Sequence, residues 1–99
     1  MQTVNATAYR GKTLRLRAWL RLDAATRDDK AQMWFRVDLP NRQVGAFDNM
    51  DDRPVQSFTW MPAEIVVRVA ESAKTLNFGV MSIGKGRAWV DGVTLEIVP

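Results

Sequence analysis

Arginine and tryptophan side chains alternate with apolar residues in two short segments of the chain. Tryptophan stacks against sugar rings, bases or cations, and arginine supplies planar donors for hydroxyl, carboxylate or phosphate groups. We therefore predict a binding site for a carbohydrate or another small polar or acidic ligand. A protein interface, or packing beneath a second sheet, would explain the same pattern. The candidate ligand-binding residues are Arg15, Arg17, Trp19, Arg21, Trp34 and Arg36.

The composition argues against catalysis. The 99 residues include no histidine and no cysteine, which removes the commonest general base, the usual zinc ligand and the thiolate nucleophile. The acids Glu64, Glu71 and Glu96 are separated in sequence, and nothing pairs them as a general acid and base. The segment Gly84-Lys85-Gly86 is too short for a phosphate-binding loop. We expect a protein that is not an enzyme.

A second polar cluster lies at Asp48, Asn49, Asp51 and Asp52. Four oxygen-bearing side chains within five positions have the chemistry that Ca²⁺ prefers. The same residue types also bond their own backbone in turns, and Arg53 follows directly to neutralise an aspartate. We favour the structural turn, with calcium as the alternative and no other cofactor expected.

Hydrophobic periodicity predicts an all-β chain. Apolar residues recur at every second position, as in strands that bury one face, and about eight short strands at regular spacing indicate a sandwich or barrel in a single domain, residues 1–99. We predict bulges at Gly45 and at Asp91-Gly92, and a hairpin turn at Gly84-Lys85-Gly86. The main predicted strands are Gln2–Ala8, Thr13–Leu22, Ala31–Val37, Val44–Asp48, Ala63–Val69, Leu76–Ile83 and Arg87–Val98.

Charge and hydropathy limit which binding partners and which cellular location we expect for this protein. The formal net charge is +3, with five basic residues and no acid between Arg10 and Arg21. That charge is small, and acids follow at Asp28, Asp29 and Asp38, so we do not expect nucleic acid as the partner. No apolar run approaches the roughly 20 residues of a membrane helix, and the first residues lack a signal-peptide pattern. A cytoplasmic protein without membrane contact is the expectation.

Several segments together resemble a family of jelly-roll domains. That family is similar to carbohydrate-binding modules of the galactose-binding-like fold, and its members extend bacterial helix-turn-helix regulators or hydrolases. The most specific segment is FDNMDDRPV, because nine ordered residues seldom recur by chance. The matching segments are Ala8–Asp23, Met33–Asp38, Phe47–Val55 and Asn77–Val98.

The resemblance implies a jelly-roll-like sandwich that is abbreviated at its N-terminus, because the chain matches the later strands of such a domain. It also implies a non-catalytic binding module. In those modules an aspartate of the final strand often helps to hold a structural calcium, which makes Asp91 a further calcium candidate beside its simpler reading as a bulge residue.

Missing strands would expose an apolar inner surface and unpaired edge amides, so we predict a homodimer. The alternative function is accordingly a self-associating structural protein that has no small ligand.

Overall fold

The computed structural model describes residues 1–99 as two antiparallel β-sheets that pack into a sandwich. One sheet has four strands in the order β1-β6-β3-β4, and the other has three in the order β5-β2-β7. The chain contains no helix that is long and apolar enough to span a membrane. The all-β sandwich is confirmed, with seven strands rather than about eight. The strands are β1 (Gln2–Asn5), β2 (Thr13–Asp23), β3 (Lys30–Asp38), β4 (Val44–Asp48), β5 (Met61–Arg68), β6 (Thr75–Ile83) and β7 (Arg87–Val98).

The alternation of residue types in β2 determines which of its faces is buried. Leu14, Leu16 and Leu20 have no exposed surface, whereas Arg15, Arg17 and Trp19 are half-buried or exposed. Successive side chains of a strand point to opposite faces, so the leucines face the other sheet and the arginines face outward. β5 alternates in the same way and burial of its inner residues extends the core.

The core lies between the inner faces of the two sheets and includes 19 buried apolar residues. Its largest members are aromatic: Phe35 of β3 and Phe78 of β6 stack with ring centroids 5.8 Å apart. Burial of such residues is the main favourable contribution to folding. The core therefore fixes the inner face of β3, and the alternate residues lie on its outer face, where Trp34 and Arg36 are half-buried and Gln32 is buried.

Two glycines mark bulges, as predicted. Between β3 and β4 the register shifts so that Val37 is opposite Ala46 and Asp38 is opposite Val44, leaving Gly45 as the extra residue. Between β2 and β7 the shift leaves two residues, Gly92 and Val93, opposite the single residue between Arg17 and Trp19. Gly92 has φ +63°, the left-handed conformation that the first position of a glycine bulge requires.

The predicted hairpin at Gly84-Lys85-Gly86 is wrong. β6 pairs with β1 and β3 in one sheet, whereas β7 pairs with β2 in the other, so the turn joins the two sheets and not two paired strands. The turn instead closes over the β2–β3 loop, where the buried carboxylate of Asp29 accepts a hydrogen bond from the backbone N–H of Lys85 at 3.1 Å. Gly84 has φ +102°, and a Cβ there would overlap Asp29.

The sandwich is incompletely covered along β7. This 12-residue strand pairs with β2 on one edge only, and none of its residues is buried. An apolar groove of about 400 Å³ opens between β7 and the edge of the four-stranded sheet. Val90 and Val93 line the groove beside Met33 and Phe78. The three-stranded sheet thus leaves apolar surface of its partner sheet in contact with solvent.

Candidate functional site

The outer face of the three-stranded sheet carries four of the six candidate ligand-binding residues. They lie on β2, the middle strand, so neighbours flank them on both sides. The register places Pro62 and Asp91 opposite Trp19, and Glu64 and Thr94 opposite Arg17. Residues directly opposite each other in antiparallel strands share a face, so this face combines side chains of β5, β2 and β7. The four residues are Arg15, Arg17, Trp19 and Arg21.

Arg15 and Arg17 are held by carboxylates of the flanking strands. The Arg15 Nε lies 2.8 Å from Glu96 Oε1, and the Glu96 carboxylate raises the pKa of the Arg15 guanidinium. Arg17 lies between two acids, 3.9 Å from Glu96 and 4.0 Å from Glu64. These longer contacts leave Arg17 with N–H donors that can reach a ligand.

A shallow groove of about 420 Å³ surrounds the exposed side of Trp19. Its polar lining comes from Arg17, Glu64 and Thr94, while Trp19 supplies an apolar wall and is 50% exposed. Gly92 keeps the groove open beside the ring, because a Cβ there would already lie 3.4 Å from Trp19 Cδ1. The groove therefore combines one aromatic ring with hydrogen-bonding groups of three kinds.

Arg21 lies in a cluster of three aromatic rings next to this groove. Its guanidinium carbon is 4.4 Å from the centroid of Trp89, 5.1 Å from Phe58 and 5.2 Å from Trp60. These distances are within the range of cation–π contacts. The Arg21 Nε is shielded from solvent and has no hydrogen-bond partner. We call these four residues the Arg21 cluster.

Trp34 and Arg36, which were predicted to share this face, do not lie on it. Both project from β3, which belongs to the four-stranded sheet, so they lie on the opposite outer surface of the sandwich. Trp34 is half-buried over Gly79, where a Cβ would lie 3.1 Å from the indole nitrogen. Arg36 is paired with Asp38 at 2.7 Å. Phe35 lies between them in sequence and points into the core, so both of its neighbours must point outward.

The Asp48–Asp52 loop forms a turn that an arginine closes. Asp48 accepts a hydrogen bond from the Met50 N–H at 2.9 Å and forms an ion pair with Arg53 at 2.6 Å. Burial alone would raise the pKa of Asp48, but Arg53 and the Met50 N–H outweigh it and lower the pKa. Asp52 pairs with the same arginine at 2.6 Å.

The four calcium candidates are not brought together. The side chain of Asp91 accepts a hydrogen bond from the Gly92 N–H at 2.9 Å, within the bulge. No three acidic side chains are grouped closely enough to hold a metal ion. The structure therefore places the candidates Asp48, Asp51, Asp52 and Asp91 in a turn and a bulge.

Five residues of the outer face were not predicted as site residues: Phe58, Trp60, Glu64, Trp89 and Thr94. Their segments show no motif, and they meet only because β5 and β7 flank β2. The sequence held one indication for Trp89. In β7 it shares a face with the charged residues Arg87 and Asp91, just as Trp19 shares a face with arginines in β2. Without the register of the two strands, the sequence does not show that Trp89 and Trp19 lie on the same face.

Comparison with known proteins does not assign the chain to a family. No family model matches the chain. The chain is 37% identical over 99 residues to a protein described as "Uncharacterized HTH-type transcriptional regulator YbfP" from Bacillus subtilis (strain 168). The match covers 99% of this chain and 33% of that protein. The chain thus spans about one third of the length of the regulator it resembles.

Proposed function

We propose that this chain is a non-catalytic binding module that holds a carbohydrate or another small polar or acidic ligand on the outer face of its three-stranded sheet. The observation that carries the proposal is the groove beside Trp19, where a half-exposed indole ring meets Arg17, Glu64 and Thr94. Ligand pockets typically combine an apolar wall with a few placed polar groups.

The chemistry of the groove suits a sugar. A pyranose ring has an apolar face that stacks on indole, and its edge carries hydroxyl groups that donate and accept hydrogen bonds. Arg17 offers donors, Glu64 offers acceptors, and the Thr94 hydroxyl offers both. The two carboxylates of this face, Glu64 and Glu96, both lie beside Arg17, an arrangement that suits hydrogen bonding to hydroxyl groups.

The similarity to a regulator supports a sensing role. A helix-turn-helix contacts DNA through an α-helix in the major groove, and this chain has only two short 3₁₀ segments, Thr7–Tyr9 and Pro40–Arg42. If the chain serves in a protein like that regulator, it acts as the part that binds a ligand and not as the part that contacts DNA.

A glycan array followed by titration calorimetry of any hit tests the proposal. Trp19→Ala should weaken binding by about tenfold or more, because aromatic stacking on one ring contributes about 1–3 kcal/mol in comparable sites. Phe47→Ala is the matched control, since Phe47 is also exposed but lies in the other sheet. Equal affinities of the two variants for a bound ligand, or no hit on the array, would contradict the proposal.

Self-association is the second candidate function, and the open groove beside β7 favours it. A long, apolar and unpaired edge strand is a template for pairing with another chain. A second copy at this edge would remove Val90 and Val93 from water. This candidate retains the predicted homodimer.

Light scattering at micromolar concentration tests it. A dimer should show about twice the 11.2 kDa mass of one chain, and Val93→Asp should return it to a monomer. Val66→Asp is the control, because Val66 is 52% exposed, against 48% for Val93, and lies on the outer face of β5. A monomer at all concentrations would exclude self-association.

A further inference from the structure

The Arg21 cluster contains a cation without a counterion. Arg15 and Arg17 of the same strand are paired with Glu96 and Glu64, whereas Arg21 has no carboxylate within ion-pair distance. Its Nε donor is also unpartnered although it is shielded from solvent. Leaving a shielded donor of a charged group without a partner costs free energy. The terminal Nη groups make no hydrogen bond within the protein either and are not shielded in the same way, so a ligand oxygen can bind to them.

The three rings hold the guanidinium in place. Trp89 lies on β7, which flanks β2, while Phe58 and Trp60 lie in the segment just before β5, the other flanking strand. Cation–π contacts attract the guanidinium without an ion pair or a hydrogen bond to an oxygen, so they leave its charge without a counterion. An arginine fixed in this way loses less conformational entropy when it binds a ligand.

The chemistry of a fixed, planar, unpaired guanidinium matches a carboxylate. Two parallel N–H···O bonds can form between the two groups, which gives both strength and orientation. Arg21 is two residues from Trp19 on the same face of β2, and side chains at that spacing are about 6.6–6.8 Å apart. That separation lets one hexose-sized molecule stack on Trp19 and present a ring-borne carboxylate to Arg21.

We propose that Arg21 is a carboxylate-binding residue and that the ligand of this face is an acidic sugar, a pyranose that carries a carboxylate. The inference rests on the proposed function, because it names the class of ligand for the same face. Arg17 and Glu64 then serve the hydroxyl groups, and the Arg21 cluster distinguishes an acidic sugar from a neutral one.

Titration calorimetry with methyl β-glucuronide and methyl β-glucoside tests the proposal on the whole chain. The two probes differ at one ring substituent, a carboxylate against a hydroxymethyl group. We expect the glucuronide to bind about tenfold tighter or more. Arg21→Met should remove most of that preference by weakening glucuronide binding more than glucoside binding, while Arg21→Lys should keep part of it, because lysine retains the charge but loses the planar pair of donors.

Arg68→Met is the matched control for the loss of one positive charge. Arg68 is exposed, has no carboxylate partner, and lies on the same outer face opposite Thr13, at the far end of β2. It should leave the preference for glucuronide intact. Urea unfolding of each variant shows whether the fold is retained, and Arg21→Lys keeps the test usable if Arg21→Met unfolds.

The outcomes separate the two proposals. Equal binding of both probes would overturn the acidic-sugar inference and leave the binding module standing. A preference for glucuronide that survives Arg21→Met would overturn the role of Arg21, and so would an equal loss in Arg68→Met. If neither probe binds and no glycan on the array does, the proposed function itself has failed and the inference fails with it.

Discussion

Replacement of Phe35 by alanine tests the assignment of faces on which the site depends. Phe35 has no exposed surface and stacks on Phe78. Removal of a buried phenylalanine costs about 3–5 kcal/mol, and the ring pair brings the expected loss toward the upper part of that range. A domain of this size is stable by about 5–15 kcal/mol, so Phe35→Ala should remove a large share of the stability.

Phe47→Ala is the comparison, because Phe47 lies on the neighbouring strand of the same sheet but is 56% exposed. Full burial of a phenylalanine contributes about 1.5–3 kcal/mol. Because Phe47 is less than half buried, Phe47→Ala should lower the free energy of unfolding by only about 1 kcal/mol. Urea unfolding followed by tryptophan fluorescence measures both. With a slope of about 1–3 kcal/mol per molar urea, the midpoint should fall by about 2 M for Phe35→Ala and by less than about 1 M for Phe47→Ala.

Equal losses, or a larger loss for Phe47→Ala, would refute the reasoning. Such a result would mean that the four-stranded sheet buries its other face. Trp34 alternates with Phe35 along β3 and would then point into the core. Trp34 would then be a core residue and not part of the opposite outer surface.

Two further predictions concern the contact between the β2–β3 loop and the β6–β7 turn. Asp29 accepts hydrogen bonds from Thr26 and from the N–H groups of Ala25 and Lys85, which hold the pKa of its carboxyl well below the usual range. The stability that ionised Asp29 contributes is complete above about pH 5 and is lost as the pH falls below about 4 toward the folded-state pKa. Asp29→Asn should therefore reduce the fall in melting temperature measured from about pH 5 to about pH 2. Asp28→Asn is the control and should leave that fall unchanged. Gly84→Ala should lower the melting temperature at pH 7, because its Cβ overlaps Asp29; an unchanged melting temperature would contradict that contact.

Local pattern was sufficient to predict the strands but not their partners. The buried leucines of β2 and the buried residues of β5 follow from alternation alone. The β-branched run at 65–69 correctly indicated a strand where helical spacing was also present, because branched side chains lose χ1 freedom in a helix. Which sheet receives each strand depends instead on which edges remain free. That information is absent from any local window.

The candidate site shows the same division. Arg17, Trp19 and Arg21 were identified from β2 itself, because alternation alone puts them on one face. Trp34 was misassigned, since no pattern within β3 says that it belongs to the other sheet. The Arg21 cluster was missed because its three rings come from two separate segments, residues 58–60 and β7, and only the pairing of β2 with its two neighbours brings them together.

One inserted residue in β7 makes the outer face possible. Before the bulge, Trp89 and Asp91 face outward with Arg21 and Trp19; after it, Thr94 and Glu96 face outward with Arg17 and Arg15. Strict alternation would not allow both sets, because the first has odd and the second even numbers, and a one-residue slip moves every side chain to the other face. The bulge absorbs the slip. The bulge therefore lets one strand place both the Glu96 carboxylate beside Arg15 and the Trp89 indole beside Arg21 on the outer face. The groove beside Trp19 lies at this bulge.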